Sequence, residues 1–250
     1  MANAAVCKVE EIQPQHHFCT RCCKEEIRDR EAYYVVLDLE MCTVPRNTLY
    51  RYQHEIIQIG AVKVNRDFEI ISEFSTYVRP EYGSLDWRIK HLTGITESQL
   101  KTAPFLQEAL DAFECWMGDR VTKLYAWSDS DYIQIENELT LKHMTSKQNQ
   151  KLLELNWIDF QKYFMDRFSF HRNPSLEDAM HLAEVDAKGS YHNGLDDAAN
   201  TARLIQKLIL NPEYQLSGKL PAEKHEVKSK GTHLQVSLGE MFADVFGAIR

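Results

Sequence analysis

The chain has 250 residues, enough for one large domain or two small ones, and at that length a full hydrophobic core forms without covalent staples. Hydrophobic residues make up 44% and charged residues 26%, which excludes a mostly disordered chain; the unbroken apolar stretch Ala32 to Leu37 falls far short of the roughly 20 residues of a membrane span. With 29 basic and 37 acidic residues the net charge is −8, which argues against long duplex tracts held on a broad basic face but leaves room for a site that holds one strand end, because bound divalent cations reverse the local sign.

Met1 to Lys8 shows no basic end followed by an apolar block, so the expectation is a soluble, cytoplasmic protein. Residues 1–30 read as an N-terminal extension. There His16, His17, Cys19, Cys22 and Cys23 offer half of a zinc site, but a closed site needs four ligands and no second Cys-x-x-Cys follows. A plain reduced extension is therefore preferred, with the cysteines as free thiols.

Residues 31–40 form a run of β-formers and predict a buried strand. A loop through Pro45-Arg46-Asn47 leads to a second strand over 55–64, and a third follows over 68–78 after the turn Asn65-Arg66-Asp67. Short turns between them imply an antiparallel three-strand meander. Thr102-Ala103-Pro104 then opens a helix whose apolar positions are Phe105, Ala109, Phe113 and Trp116, with Cys115 assigned to the core. A strand over 123–127, a helix over 131–143 and a strand over 155–160 come next. Ser175-Leu176-Glu177-Asp178 opens another helix, and a longer one spans 195–210 with Ala198, Ala202, Ile205 and Leu208 on one face. The fold class is α/β: a mixed sheet flanked by helices. Residues 212–250 read as a solvated linker and an amphipathic C-terminal helix, with Leu238, Met241, Phe242, Val245, Phe246 and Ile249 on one side. That side either packs on its own domain or forms a dimer contact.

Three segments carry chemistry. Asp38 and Glu40, two apart in a strand, emerge on one face, and paired carboxylates demand a cation or a proton between them. Trp127-Ser128-Asp129-Ser130-Asp131 lies at a strand-to-helix junction, where either aspartate could cap the helix or face a site at the strand ends. Tyr191-His192-Asn193-Gly194-Leu195-Asp196-Asp197 puts a loop histidine beside an acid in a helix's first turn, which suits proton transfer next to a metal ligand. Asp196 reads as an ordinary helix-start acid.

In this order and spacing, Asp38-x-Glu40, Asp131 and His192-x-x-x-x-Asp197 resemble the DEDDh branch of the DnaQ-like 3′→5′ exonucleases, whose fold is RNase H-like. The resemblance spans about residues 31–211 and includes Glu55-Ile56-Ile57-Gln58-Ile59-Gly60-Ala61 and His91-Leu92-Thr93-Gly94-Ile95-Thr96. Around Asp38 to Cys42 and Trp127 to Asp131 the chain is most similar to Eri-type exoribonucleases. The resemblance implies two Mg²⁺ or Mn²⁺ ions. Asp38 would bridge both, Glu40 and Asp197 would hold the ion that carries the nucleophilic water, Asp131 would support the other, and His192 would be the general base. It also implies single-stranded RNA or DNA 3′ ends as partners, no membrane, a nucleoside 5′-monophosphate product, and base contacts from Met41 and Ile95. The competing readings are a DNA-directed exonuclease and a non-catalytic regulatory module on the same fold.

Overall fold

The computed structural model describes residues 32–45, 54–144 and 146–217. The Cys/His extension, the loop positions Arg46 and Asn47, and the C-terminal helix lie outside the described residues. Three strands come first: β1 (Tyr33–Thr43), β2 (His54–Val64) and β3 (Ile70–Tyr77). Both successive pairings are antiparallel, the meander expected from the short turns. Asn65 closes the second turn, its side-chain oxygen accepting from Asp67 N and Glu69 N at 2.9 Å each.

Helices α1 (Trp87–Thr93), α2 (Glu97–Thr102) and α3 (Leu106–Met117) then lead to β4 (Val121–Ala126) and α4 (Ser130–Leu141). The chain continues through α5 (Lys147–Glu154), β5 (Trp157–Asp159), α6 (Phe160–Phe168), α7 (Leu176–Leu182) and α8 (Gly194–Leu210). The sheet order is β3-β2-β1-β4-β5, with β4 parallel to β1 and β5 parallel to β4, so the sheet is mixed. Strand β5 is shorter than the expected 155–160, because Leu155 ends α5 and Phe160 already begins α6.

Helix α3 corrects a detail. Phe105 is its N-cap and 45% exposed, with the Arg79 guanidinium 5.1 Å from its ring centroid. The buried side is Leu106, Ala109, Leu110, Phe113 and Met117, and Cys115 is exposed rather than core. Cys115 follows Phe113 by two residues, about 200° round the helix, and so lies on the side away from the buried face.

Apolar clusters cover both faces of the sheet. Leu37, Leu39 and Met41 of β1 pack with Leu110 and Phe113, while Val36 packs with Tyr125, Phe164, Ala202 and Ile205 in the cluster that includes α8. Side chains alternate along a strand, so Asp38 and Glu40 share the face of Val36 and point toward α8. The far end of α8 is held by Arg167, whose guanidinium donates to the carbonyls of Leu208, Asn211, Pro212 and Tyr214.

Candidate active site

Strand β1 delivers the first two acids. Its pairing with β2 is regular from Tyr34 to Glu40, and the register then shifts between Glu40 and Met41. Such bulges end regular pairing and re-aim the side chains beside them. Glu40 is 2% exposed, and its Oε2 is buried without a hydrogen-bond partner. Burial pushes both carboxyls well above the usual carboxylate range, and nearby acids add to it: Asp131, Asp197 and Glu40 for Asp38, then Asp197 and Asp131 for Glu40.

Helix α4 delivers Asp131 in its first turn. The carboxylate is 6% exposed, and its Oδ1 accepts from Leu39 N at 3.0 Å, the backbone between the two β1 acids. Burial pushes it up to about 7. Asp129 is the N-cap residue of α4, exposed, and makes no side-chain cap bond. Of the two aspartates, Asp131 lies against β1 and Asp129 does not.

An ionic clasp fixes the other end of α4. Lys142 Nζ, its side chain 6% exposed, lies 2.8 Å from Glu55, 3.0 Å from Glu81 and 3.0 Å from Glu138. Glu138 Oε2 accepts from Ile56 N at 2.8 Å, and Glu55 accepts the backbone N–H groups of Glu81, Tyr82 and Gly83. Lys142→Met would leave Glu55 and Glu138 buried without their cation, at a cost of about 3–5 kcal/mol. Urea unfolding at pH 8 will show that loss, with a smaller one at pH 5.5, because burial pushes Glu138 up to about 7 and its protonated form needs no counter-charge. Equal stability of variant and wild type at pH 8 would contradict the clasp.

Helix α8 and the loop before it complete the cluster. The helix begins at Gly194, where the chain crosses so close to β2 that a Cβ on Gly60 would overlap the Gly194 carbonyl and Leu195 N. Buried Gln58 accepts from Gly194 N at 3.2 Å, and Asn193 caps the helix by accepting from Leu195 N and Asp196 N. This close seat carries Asp197, 7% exposed, to the β1 acids. Its Oδ2 accepts from His192 N at 2.7 Å, and its Oδ1 is buried without a partner. Burial pushes Asp197 up to about 7 and lowers His192 below its ordinary value, which favours the uncharged imidazole. His192 itself has φ +63°, left-handed backbone that a non-glycine residue adopts only when its surroundings impose it.

Glu40, His192 and Asp197 each offer a ligand atom, and the three atoms lie within 4.8 Å of one another. Together with the mutual influence of Asp38, Asp131, Glu40 and Asp197, all five sequence-identified residues belong to one neighbourhood. The orphaned Glu40 and Asp197 oxygens and the oxygen-rich donor set fit a hard divalent cation. Stability follows from the raised carboxyls. A carboxyl that titrates near 4 when unfolded and near 7 when folded stabilises the fold below pH 4, and that contribution is lost as pH rises toward 7. With EDTA present, Tm will therefore fall between pH 5 and pH 8, and Mn²⁺ will restore it by at least about 5 °C at pH 8. An identical Tm with Mn²⁺ and with EDTA at pH 8 would contradict a cation site.

Met41 and Ile95 are 5% and 3% exposed and pack in different apolar clusters, Ile95 with Cys42, Ile57, Ile89 and Leu100. Wedging against a base would require either side chain to leave its cluster. Gln58, Glu138 and Asn193 support the site yet were not singled out from sequence. Asp159 was also missed; a partly buried carboxylate at the end of β5, it helps raise Asp131 and borders a cavity of about 310 Å³ with Asp129, Tyr132 and Trp157.

The exonuclease family model (RNase T type) matches residues 35–205. ERI1 exoribonuclease 2 of Mus musculus is 31% identical over 204 residues, which is 71% of this chain and 28% of the mouse protein. DNA polymerase III PolC-type of Clostridium perfringens is 29% identical over 186 residues, 73% of this chain and 11% of that protein. The chain thus spans only a minor part of these relatives' length. The solved nuclease domain of 3′hExo, a DEDDh family member bound to rAMP, superposes with a TM-score of 0.61 at 25% identity, covering 77% of this chain and 99% of that domain.

Proposed function

The chain belongs to the exonuclease family, and we propose that it removes nucleoside 5′-monophosphates from single-stranded 3′ ends, RNA foremost, using divalent cations and a histidine base. The observation that carries this reading is the meeting of buried, partner-less carboxylate oxygens of Glu40 and Asp197 with the His192 imidazole. Two Mg²⁺ or Mn²⁺ ions held by Asp38, Glu40, Asp131 and Asp197 would supply charge neutralisation at the phosphodiester and acidify the attacking water.

The protein's own groups do the rest. Asp131 is tied to β1 through Leu39 N, so a cation shared between it and Asp38 would hold a fixed place on the strand. Asp197 divides its labour: one oxygen holds the His192 backbone and the other is free for a cation. His192 accepts the water's proton on its neutral ring, and burial keeps that ring ready at neutral pH. Met41 and Ile95 remain proposed base contacts, reached only by repacking.

RNA is favoured by the relatives named as exoribonucleases, and by the rAMP bound to the 3′hExo nuclease domain. The PolC-type relative favours DNA as the second reading. Incubation with 5′-labelled single-stranded RNA and DNA, with Mn²⁺ or with EDTA, separates them by the ladder of shortened products. Faster shortening of RNA, dependent on Mn²⁺, is expected; faster shortening of DNA would reverse the order, and none on either polymer would leave a regulatory module. His192→Ala separates base from ligand, because a lost base abolishes turnover while Mn²⁺ still binds by calorimetry. Loss of Mn²⁺ binding as well would make His192 a ligand instead.

A further inference from the structure

The loop that carries His192 has almost no regular structure of its own, yet it is held along α8 at four places. Lys207 Nζ donates to Glu184 O at 2.9 Å. Asn200, fully buried, makes a two-point clasp on the backbone of one residue: its Oδ1 accepts from Lys188 N at 3.0 Å and its Nδ2 donates to Lys188 O at 3.1 Å. Asp196 Oδ2 accepts from Ser190 N at 2.9 Å, and Asp197 accepts from His192 N. Residues 207, 200, 196 and 197 of the helix thus take loop positions 184, 188, 190 and 192, and the loop runs antiparallel to the helix before turning into it.

The fit is close. Gly189 has φ +76°, and a Cβ there would overlap the Asp196 carboxylate, so the loop backbone lies directly on that side chain. His192 is left-handed two residues beyond the Ser190 contact. A solvent-facing segment with three left-handed residues, Glu184, Gly189 and His192, has little reason to keep this path unaided. Asp196 is therefore more than a helix-start acid, and Asn200 has no other visible task than this clasp and its bond from Arg203 Nη1 at 2.8 Å.

We propose that Asn200 and Asp196 are positioning residues for His192: they clasp the 188–190 backbone onto α8 and so hold the imidazole beside the Glu40 and Asp197 carboxylates. The proposal rests on the exonuclease reading for its kinetic consequence, but its geometric consequence can be read without metal or substrate. Amide hydrogen exchange is measured on metal-free wild type, Asn200→Ala, Asp196→Ala and Asp196→Asn, and kcat and KM are measured on the same proteins with Mn²⁺ and a single-stranded oligonucleotide.

In both alanine variants, exchange of amides 188–192 will speed up by about tenfold or more while β1 and β2 keep wild-type protection. Their kcat will fall roughly ten- to a hundredfold with KM little changed, since the base is displaced and the substrate's binding groups are not. Asp196→Asn keeps an oxygen for Ser190 N and will recover most of both losses. Wild-type exchange and kcat in Asp196→Ala would overturn the proposal, and so would exchange that rises evenly across the whole domain, which marks an ordinary structural role. A wild-type protein without nuclease activity would instead remove the reading beneath it, and the proposal with it, a result recognisable because it appears before any substitution is made.

Discussion

Asp131→Asn will lower nucleotide release by roughly a hundred- to a thousandfold, while Asp129→Asn keeps most of it. The two aspartates stand two residues apart at the start of one helix, and only their surroundings separate them. Asp131 is 6% exposed, bonded to Leu39 N, and raised to about 7 by burial; Asp129 is exposed and caps nothing with its side chain. An asparagine at 131 still offers an oxygen to Leu39 N, so the fold is retained and the lost quantity is negative charge. Single-turnover assays on both variants, with thermal melts to confirm folding, decide the matter. Loss in Asp129→Asn with activity kept in Asp131→Asn would mean that the other carboxylate serves the chemistry.

Gly60→Ala will damage the site from a position that bears no reacting group. The added methyl would overlap backbone atoms of Gly194 and Leu195, which cannot rotate aside as a side chain would. The start of α8 must then lift from β2, at a cost of about 1–3 kcal/mol in stability. Asp197 and His192 both ride on that start, so activity will fall further than stability does, by roughly a hundredfold. Chemical denaturation and single-turnover rates on the same preparation give the two numbers. Full activity in a stable Gly60→Ala protein would show that the helix seat is not what sets the acid's position.

Much of this architecture can be read along the chain. Strands β1 and β2 announce themselves by runs of β-formers, and α7 and α8 by a serine cap and a long apolar face. The five chemical residues stand out only as a set: each segment alone also reads as a loop edge or a helix cap, and it is their joint order and spacing that resembles the DEDDh exonucleases. Helices α1, α2, α5 and α6 are less legible, since each is too short to establish a period and none has the two first-turn acids that follow the Ser175 cap of α7. Their local signals are the caps Asp86, Thr96, Ser146 and Asp159, and single caps also occur in turns.

What holds the site together is hidden for a different reason. Gln58 reaches Gly194 across 136 residues, and Glu138 reaches Ile56 across 82. Gly60 and Gly194 reveal their purpose only when β2 and α8 touch. Met41 and Ile95 illustrate the converse: an apolar side chain beside a site serves core or substrate equally well from sequence, and three-dimensional placement puts both in apolar clusters.

The most direct measurement is anomalous scattering at the manganese edge from crystals of the protein soaked in Mn²⁺. Manganese peaks are expected bound by Asp38, Glu40 and Asp197, with the Glu40 Oε2 and Asp197 Oδ1 atoms among the ligands. Fully occupied manganese elsewhere, with those two oxygens still lacking any cation, would contradict it.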